Sequence, residues 1–421
     1  MGKGCPQRLV SNTQPNRSLL ARAERGSQVT QSSSKKTPRS RRRVSHLLRW
    51  LPGYFWQTMS RKSPSGRVHL VIALADHFEP AYVPGDGYAR APYDEQERRL
   101  DEWCREYSRL ADVVRDHDGR PFVHTYFYPA EQYDRNHIER LAEHCHKGWG
   151  EIEIHLHHGI EGPDTAENTR HTLAEFRDLL ASRHGCLSYS DGAGPRYAFV
   201  HGNFALANSN LQFGCGVDSE MQILAETGCY ADLTLPAAPF HPAQTAKINS
   251  LYECALPLTG RAPHRRGHDL QRGRTPEIFP LMVQGPLGLD FRRRTVENAA
   301  LTSGNPPSLA RLRAWKRAGI GVNGRPDWRF IKLHCHSMDP TQRRAVLGPE
   351  LQRFLSDLVE GAEARGDILH FATAREMVNM ILAACDGRDG NPGDYRDYRF
   401  KLGTKGRPAQ SASVSQTAIR K

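Results

Sequence analysis

The chain of 421 residues, 38% hydrophobic and 25% charged, has the composition of a soluble protein with a substantial core, in one large domain or two ordinary ones. No apolar run reaches the roughly 18 residues of a membrane-spanning helix, and nine cysteines, odd in number and without a CxxC pair, suit reduced thiols in a cytosolic compartment better than a disulfide framework. The formal charge of +12 does not describe a basic binding face: before Trp50, twelve Lys and Arg stand against the single acid Glu24, and the remainder is close to neutral.

Residues 1–49 are Arg- and Ser-rich and too poor in apolar groups to fold alone, so a disordered basic extension with no catalytic role is expected. A transit peptide, a phosphate-binding arm or a misassigned start ahead of Met59 are the other readings. The apolar piece LLRWLPGYFWQ (47–57), part of a lead-in over 50–67, predicts a helix on the outside of the domain, with a membrane surface as the lesser reading.

From Val68 the pattern becomes regular. VHLVIALA (68–75) predicts a buried strand ending at Asp76, and DEQERRLDEWCREYSRLADVVRDH places Leu100, Trp103, Tyr107, Ala111 and Val114 on one stripe of a helix. PFVHTYFY (121–128) predicts a second strand and 135–146 a helix, with His144, Cys145 and His146 on its surface. EIEIHLH (151–157) alternates Glu151, Glu153, His155 and His157 with Ile152, Ile154 and Leu156, the pattern of a strand with one face buried. A helix over 165–182, a strand over 196–202, a helix over 218–226 and a strand over 230–236 follow.

Between 237 and 305 the alternation fades into a Pro-, Gly- and Arg-rich stretch that reads as one large irregular insertion. His241, His264 and His268 lie there without useful spacing. A helix over 309–318, the strand WRFIKLHCH (328–336), a helix over 341–364, the strand DILHFAT (367–373) and the helix AREMVNMILAA close the domain at about 384. A polar, loose tail over 385–421 is expected. Seven strands alternating with helices predict one α/β domain over 68–384, a distorted (β/α) barrel.

In such a barrel the strand ends open onto one face. They read Asp76-His77-Phe78-Glu79, His155-Leu156-His157-His158, His201-Gly202-Asn203 and His334-Cys335-His336. A carboxylate with two imidazoles is the smallest open site for a catalytic divalent metal, which acidifies water near neutral pH. Asp76, His155 and His157 are the first choice of ligands, with His77, His158, His201 and Asn203 as further metal or substrate contacts.

The order of an Asp in the first strand, a His cluster ending the third, Arg196 and His201 in the fourth and LHCH (333–336) late in the chain resembles the polysaccharide deacetylase superfamily, the carbohydrate esterases of the nodulation-deacetylase type. The resemblance spans about 68–384. It implies a distorted (β/α) barrel that binds one divalent metal, zinc first, and removes acyl groups from a saccharide or amino sugar. It further implies that Arg196 orients the catalytic carboxylate and that His334 or His336 supplies the acid; the two share a strand face, so the period does not choose between them. The family's first motif has two adjacent aspartates, whereas Asp76 is followed here by His77. Either Asp76 is the ligand and Glu79 the nearest base, or His77 replaces the ligand and Asp76 is the base.

Two other readings stay open. A glycosidase of the same barrel superfamily would pair Asp76 with Glu79 or Asp232, and a saccharide-binding barrel would keep the fold without turnover. With no obvious signal peptide, a cytoplasmic enzyme acting on a precursor is expected, without nucleic acid on the folded domain.

Overall fold

The computed structural model describes residues 39–61, 66–86, 89–211, 213–237, 240–291 and 293–403. The expectations for residues 1–38 and 404–421 lie outside these. The chain divides into two compact units, Met1–Arg42 and Arg43–Lys421, and the second holds every strand described.

Helix α1 (Arg39–Ser60) precedes β1 (Val68–His77), α2 (Tyr93–Ala111), β2 (His124–Pro129), α3 (Arg135–His144), β3 (Gly150–Leu156), α4 (Ala166–Ser182), β4 (Ser188–Tyr189), β5 (Pro195–His201), α5 (Glu220–Glu226) and β6 (Cys229–Asp232). The 237–305 stretch holds β7 (Leu251–Cys254), β8 (Gly267–Asp269), β9 (Leu281–Val283), β10 (Gly288–Asp290) and β11 (Thr295–Glu297). Then come α6 (Leu309–Ala318), β12 (Trp328–Cys335), α7 (Arg344–Leu347), α8 (Pro349–Glu360), β13 (Asp367–Phe371), α9 (Ala374–Cys385) and β14 (Lys401–Leu402).

The main sheet runs β12-β1-β2-β3-β5-β6-β9-β7-β8. Its pairings are parallel from β12 to β9 and turn antiparallel at β7 and β8. β13 pairs with the first half of β1 and β2 with its second half. Among the described residues this path does not close on itself, so the expected closed barrel is corrected to an α/β fold with a mostly parallel, open sheet. The antiparallel edge comes from the stretch read as irregular. Its strands of three or four residues are too short to show a period of two.

The parallel register brings the carboxyl ends together: His334 lies opposite Ala75, Phe127 opposite His77, and His201 opposite Leu156. One face of the sheet packs Leu70, Ile72, Leu74, Ile152, Ile154 and Leu156 against α2, α3 and α4. The other packs Val71, Ala73, Ala75, Phe127, Ala198 and Val200 against α9, whose start is fixed by a capping box between Thr373 and Glu376. The expected helix over 341–364 is broken between α7 and α8 at Gly348-Pro349, where proline takes the first helical position. Residues 386–403, read as loose, are held by Arg396, which pairs with Asp116, Asp118 and Glu376.

Because α9 covers the second face, β3 is buried on both sides, not one. Glu151 and Glu153 therefore need partners. Arg375 at the start of α9 meets Glu151 through two bonds of 2.7 and 3.0 Å, and Glu153 takes the Ala198 amide at 2.6 Å and the Tyr230 hydroxyl. Arg375→Ala would strand the Glu151 carboxylate and is expected to cost about 3–5 kcal/mol in urea unfolding, with most of it regained on adding Glu151→Leu. An unchanged unfolding midpoint in the single variant would contradict this packing.

Candidate metal centre at the strand ends

Successive residues of a strand face opposite ways, and that parity decides what reaches the site. Along β1, Asp76 falls on the face of Leu74 and Ile72, and His77 on the face of Ala75. Phe78 returns to the outer core, its ring 5.1 Å from that of Tyr126, and Glu79 follows His77 inward. On β3 the same rule sets His155 inward, and His157 continues in phase just past the strand's end. The outermost inward positions of β1 and β3, on either side of β2, thus meet over the edge of the core.

His155 Nδ1 lies 2.7 Å from the Val200 carbonyl oxygen. A carbonyl only accepts, so the proton sits on Nδ1 and Nε2 keeps its lone pair, which points at Glu79 Oε1 at 3.3 Å. His157 repeats the arrangement: Nδ1 donates to Glu131 Oε1 at 2.7 Å, and Nε2 faces Glu79 Oε1 at 3.8 Å. His77 Nδ1 is 3.9 Å from the same oxygen and is buried without a hydrogen-bond partner. Three imidazoles therefore converge on one carboxylate oxygen.

Burial and then the neighbouring imidazoles push the His77 pKa well below its ordinary value. Burial also lowers that of His155, against the pull of Glu79. Burial works to raise the Glu79 carboxyl, yet the surrounding histidines, His155 first, outweigh it and bring it down to about 2. Burial opposes charge on His157, but its bond to Glu131 and the Glu79 carboxylate outweigh it and raise its pKa above the ordinary value. His77 and His155 are the imidazoles kept neutral, and a carboxylate facing their lone pairs suits a cation between them. Ligand atoms about 2.1 Å from a tetrahedral zinc stand about 3.4 Å apart, close to the separations here. His77, Glu79 and His155 could hold a metal ion; His157 faces the same carboxylate oxygen beside them, and Val200 and Glu131 fix the His155 and His157 rings from behind.

A second group lies beside it. His158 Nδ1 donates to Asp164 at 2.7 Å, while its Nε2 sits 3.1 Å from Glu220 Oε1 and 3.2 Å from His201 Nε2. Cys215 Sγ lies 3.4 Å from Glu220 Oε2 and accepts the Asn208 and Val217 amides. These four buried side chains could also hold a metal ion. They are equally consistent with an imidazolium at His158 clamped by two carboxylates: burial opposes the charge, but Asp164 and Glu220 raise the His158 pKa well above its ordinary value. His201 Nδ1 already accepts the Asn203 amide at 3.1 Å, which places the His201 proton on Nε2 and favours the ion-free arrangement.

No family model and no curated protein matches this sequence. The site is therefore described by its own geometry.

The structure brings Glu79, His155 and His157 together, adds His77, and places His336 with its ring 4.4 Å from that of His77. His334 is farther, at 6.4 Å. It does not bring in Asp76, whose carboxylate accepts the Ser337 amide at 2.9 Å and faces His124 at 3.1 Å. Arg196 opens β5, about 16 Å along the strand from His201, and lines a separate cavity with Cys229 and Phe279. His158, His201 and Asn203 belong to the second group. His144, expected on the surface, is buried with Nε2 3.1 Å from the Tyr126 hydroxyl, and Cys145 is buried beside it.

Glu131 is the residue that sequence reasoning missed. Its signal was available: it stands two residues past the second strand, at the level where every neighbouring strand end carries a polar group. A cleft of about 730 Å³, lined by Glu79, Tyr82, Arg90, Glu131, His157 and His158, opens onto both groups. Nitrogen NMR of the imidazoles at neutral pH is expected to show His155 and His157 protonated at Nδ1. An Nε2 proton on His155 would contradict the convergence on Glu79.

Proposed function

We propose that the chain is a metal-dependent hydrolase that removes an acyl group from a saccharide or amino sugar, a divergent relative of the polysaccharide deacetylases. The observation that carries this reading is the pair of anchored imidazoles, His155 and His157, whose Nε2 atoms face Glu79 at the floor of an open cleft. His77, Glu79, His155 and His157 would hold the ion, zinc by its nitrogen-rich donor set. When bound, such an ion supplies Lewis acidity at an acyl oxygen and lowers the pKa of water.

The remaining roles fall to this chain's own side chains. Glu131 keeps the His157 ring in register through its hydrogen bond and lines the cleft, where it can take a proton from an attacking water. His336, half-buried against His77, is placed to protonate a leaving amine or alkoxide. Asp76 is closed off between the Ser337 amide and His124. Tyr82, Arg90, Gln132 and Asn168 offer the cleft hydrogen-bonding groups suited to sugar hydroxyls.

The glycosidase reading is less well supported. Its acid must be a carboxyl with a raised pKa. Glu79 is enclosed by imidazoles and held at about 2, and Asp232, which burial pushes up to about 7, accepts hydrogen bonds from the Thr234 amide and hydroxyl and is not among the residues that line the cleft. Elemental analysis after metal-replete purification is expected to show that His155→Ala with His157→Ala loses one equivalent of metal, and that acetate release from N- and O-acetylated saccharides falls to background. Equal metal in both proteins would overturn the mechanism. Glu131→Gln is expected to weaken metal binding about 10–100-fold, measured by chelator competition; unchanged affinity would remove Glu131 from the site.

A further inference from the structure

Helix α1 has two apolar faces, and the fold uses one. Trp50 and Tyr54 are buried against Ile248 and Leu287, with Leu47 and Leu51 packed beside them. The opposite side shows Leu48 at 59% exposure, Phe55 at 47%, Trp56 at 69% and Met59 at 78%. Leu48, Phe55 and Met59 recur at intervals of seven and four, one stripe of a helix, with the exposed Pro52 between them and Trp56 on its flank. From Leu47 to Met59 the helix is apolar on both sides and covered on one, so it presents Leu48, Phe55, Trp56 and Met59 to its surroundings.

The β10–β11 hairpin lies against the same helix. Leu289 and Val296 pack on the Trp50 and Tyr54 cluster, and the Tyr54 hydroxyl donates to the Leu289 carbonyl at 3.4 Å. The hairpin's tip exposes Phe291, at 68%, followed by the exposed Arg293 and Arg294. The helix thus exposes Leu48, Phe55, Trp56 and Met59, and the hairpin packed on it exposes Phe291, Arg293 and Arg294; in sequence, the chain that leads into the helix carries twelve Lys and Arg against one Glu before Trp50.

We propose that this face docks on an anionic phospholipid membrane, with the aromatic ridge of α1 and Phe291 entering the headgroup boundary and the arginines meeting lipid phosphates. The charge selects this occupant. A second copy on the same patch, related by a two-fold axis, would set two such arginine-rich surfaces against each other, whereas an anionic leaflet attracts each basic side chain near it. Tryptophan and phenylalanine are side chains suited to the bilayer interface. Docking is superficial: no helix among the described residues is long and apolar enough to cross a membrane. The inference does not rest on the hydrolase reading, and either can fail alone.

The test is sedimentation of the full chain with vesicles of phosphatidylcholine containing phosphatidylglycerol, and with vesicles of phosphatidylcholine alone. Binding is expected on the anionic vesicles and at least tenfold weaker on the neutral ones. Phe55→Ser with Trp56→Ser is expected to lower anionic binding at least tenfold, and Arg293→Gln with Arg294→Gln at least twofold, with unchanged thermal melting because all four side chains are exposed. Absence of binding to anionic vesicles overturns the proposal. So does equal binding of wild type and the Phe55, Trp56 variant, which would assign the affinity to basic charge alone. Dimerisation in sedimentation equilibrium, abolished by that variant and without vesicle binding, would make the face a contact between copies.

Discussion

The Val200 carbonyl cannot donate a hydrogen bond, and from that constraint the chemistry of the strand ends follows. It places the His155 proton on Nδ1 and leaves that ring's Nε2 lone pair directed at Glu79, while Glu131 takes the His157 Nδ1 proton in a hydrogen bond and turns its Nε2 to the same carboxylate. Neighbouring parallel strands make this geometry available. The carbonyl that orients His155 belongs to the residue opposite it in the β3–β5 ladder, so the sheet's own register supplies the support. A metal-ligating imidazole needs such backing to hold its tautomer and orientation, and here one support is main chain and the other a cleft-lining carboxylate.

The inward face of β3 reads as a gradient of polarity. Glu151 at its start is neutralised by Arg375, and Glu153 is satisfied by the Ala198 amide and the Tyr230 hydroxyl. Burial outweighs those bonds and raises the Glu153 carboxyl to about 8. His155 and His157 then continue the same column toward the cleft. Helix α9, buried along its length, covers the lower part of the face and stops the solvent that would otherwise screen these groups. The polar column is costly in the core and useful only at its open end, which is where the convergent nitrogens lie.

Much of this was legible in the residues. The seven expected strands are all present, because their apolar runs are long enough to show alternation, and the shared face of His155 and His157 follows from a period of two. Asp76 stands apart from the His155 and His157 group for a plain reason: the apolar run stops there, but the strand continues through His77, and parity turns Asp76 outward to Ser337, His124 and Cys335. With His124 and Cys335 it forms a separate group that could also hold an ion. Glu131 stands in a short turn that no periodic pattern covers. Cys215 and Glu220 reach His158 and His201 through a loop with left-handed backbone at Phe204, Ala207, Asn208 and Leu211, a path that residue spacing does not encode. The alternation of strands and helices led to the α/β class and to a distorted barrel, whereas the three- and four-residue strands that extend the open sheet are too brief to read.

The central claim is that the imidazoles facing Glu79, not the cysteine-containing group beside them, form the preferred site for a divalent ion. X-ray absorption at the zinc edge, on protein loaded with one equivalent, separates the two by their donor atoms. The account predicts a first shell of nitrogen and oxygen alone at about 2.0–2.1 Å, with the outer scattering of coordinated imidazole. A sulfur neighbour at about 2.3 Å would place the ion with Cys215 and contradict it.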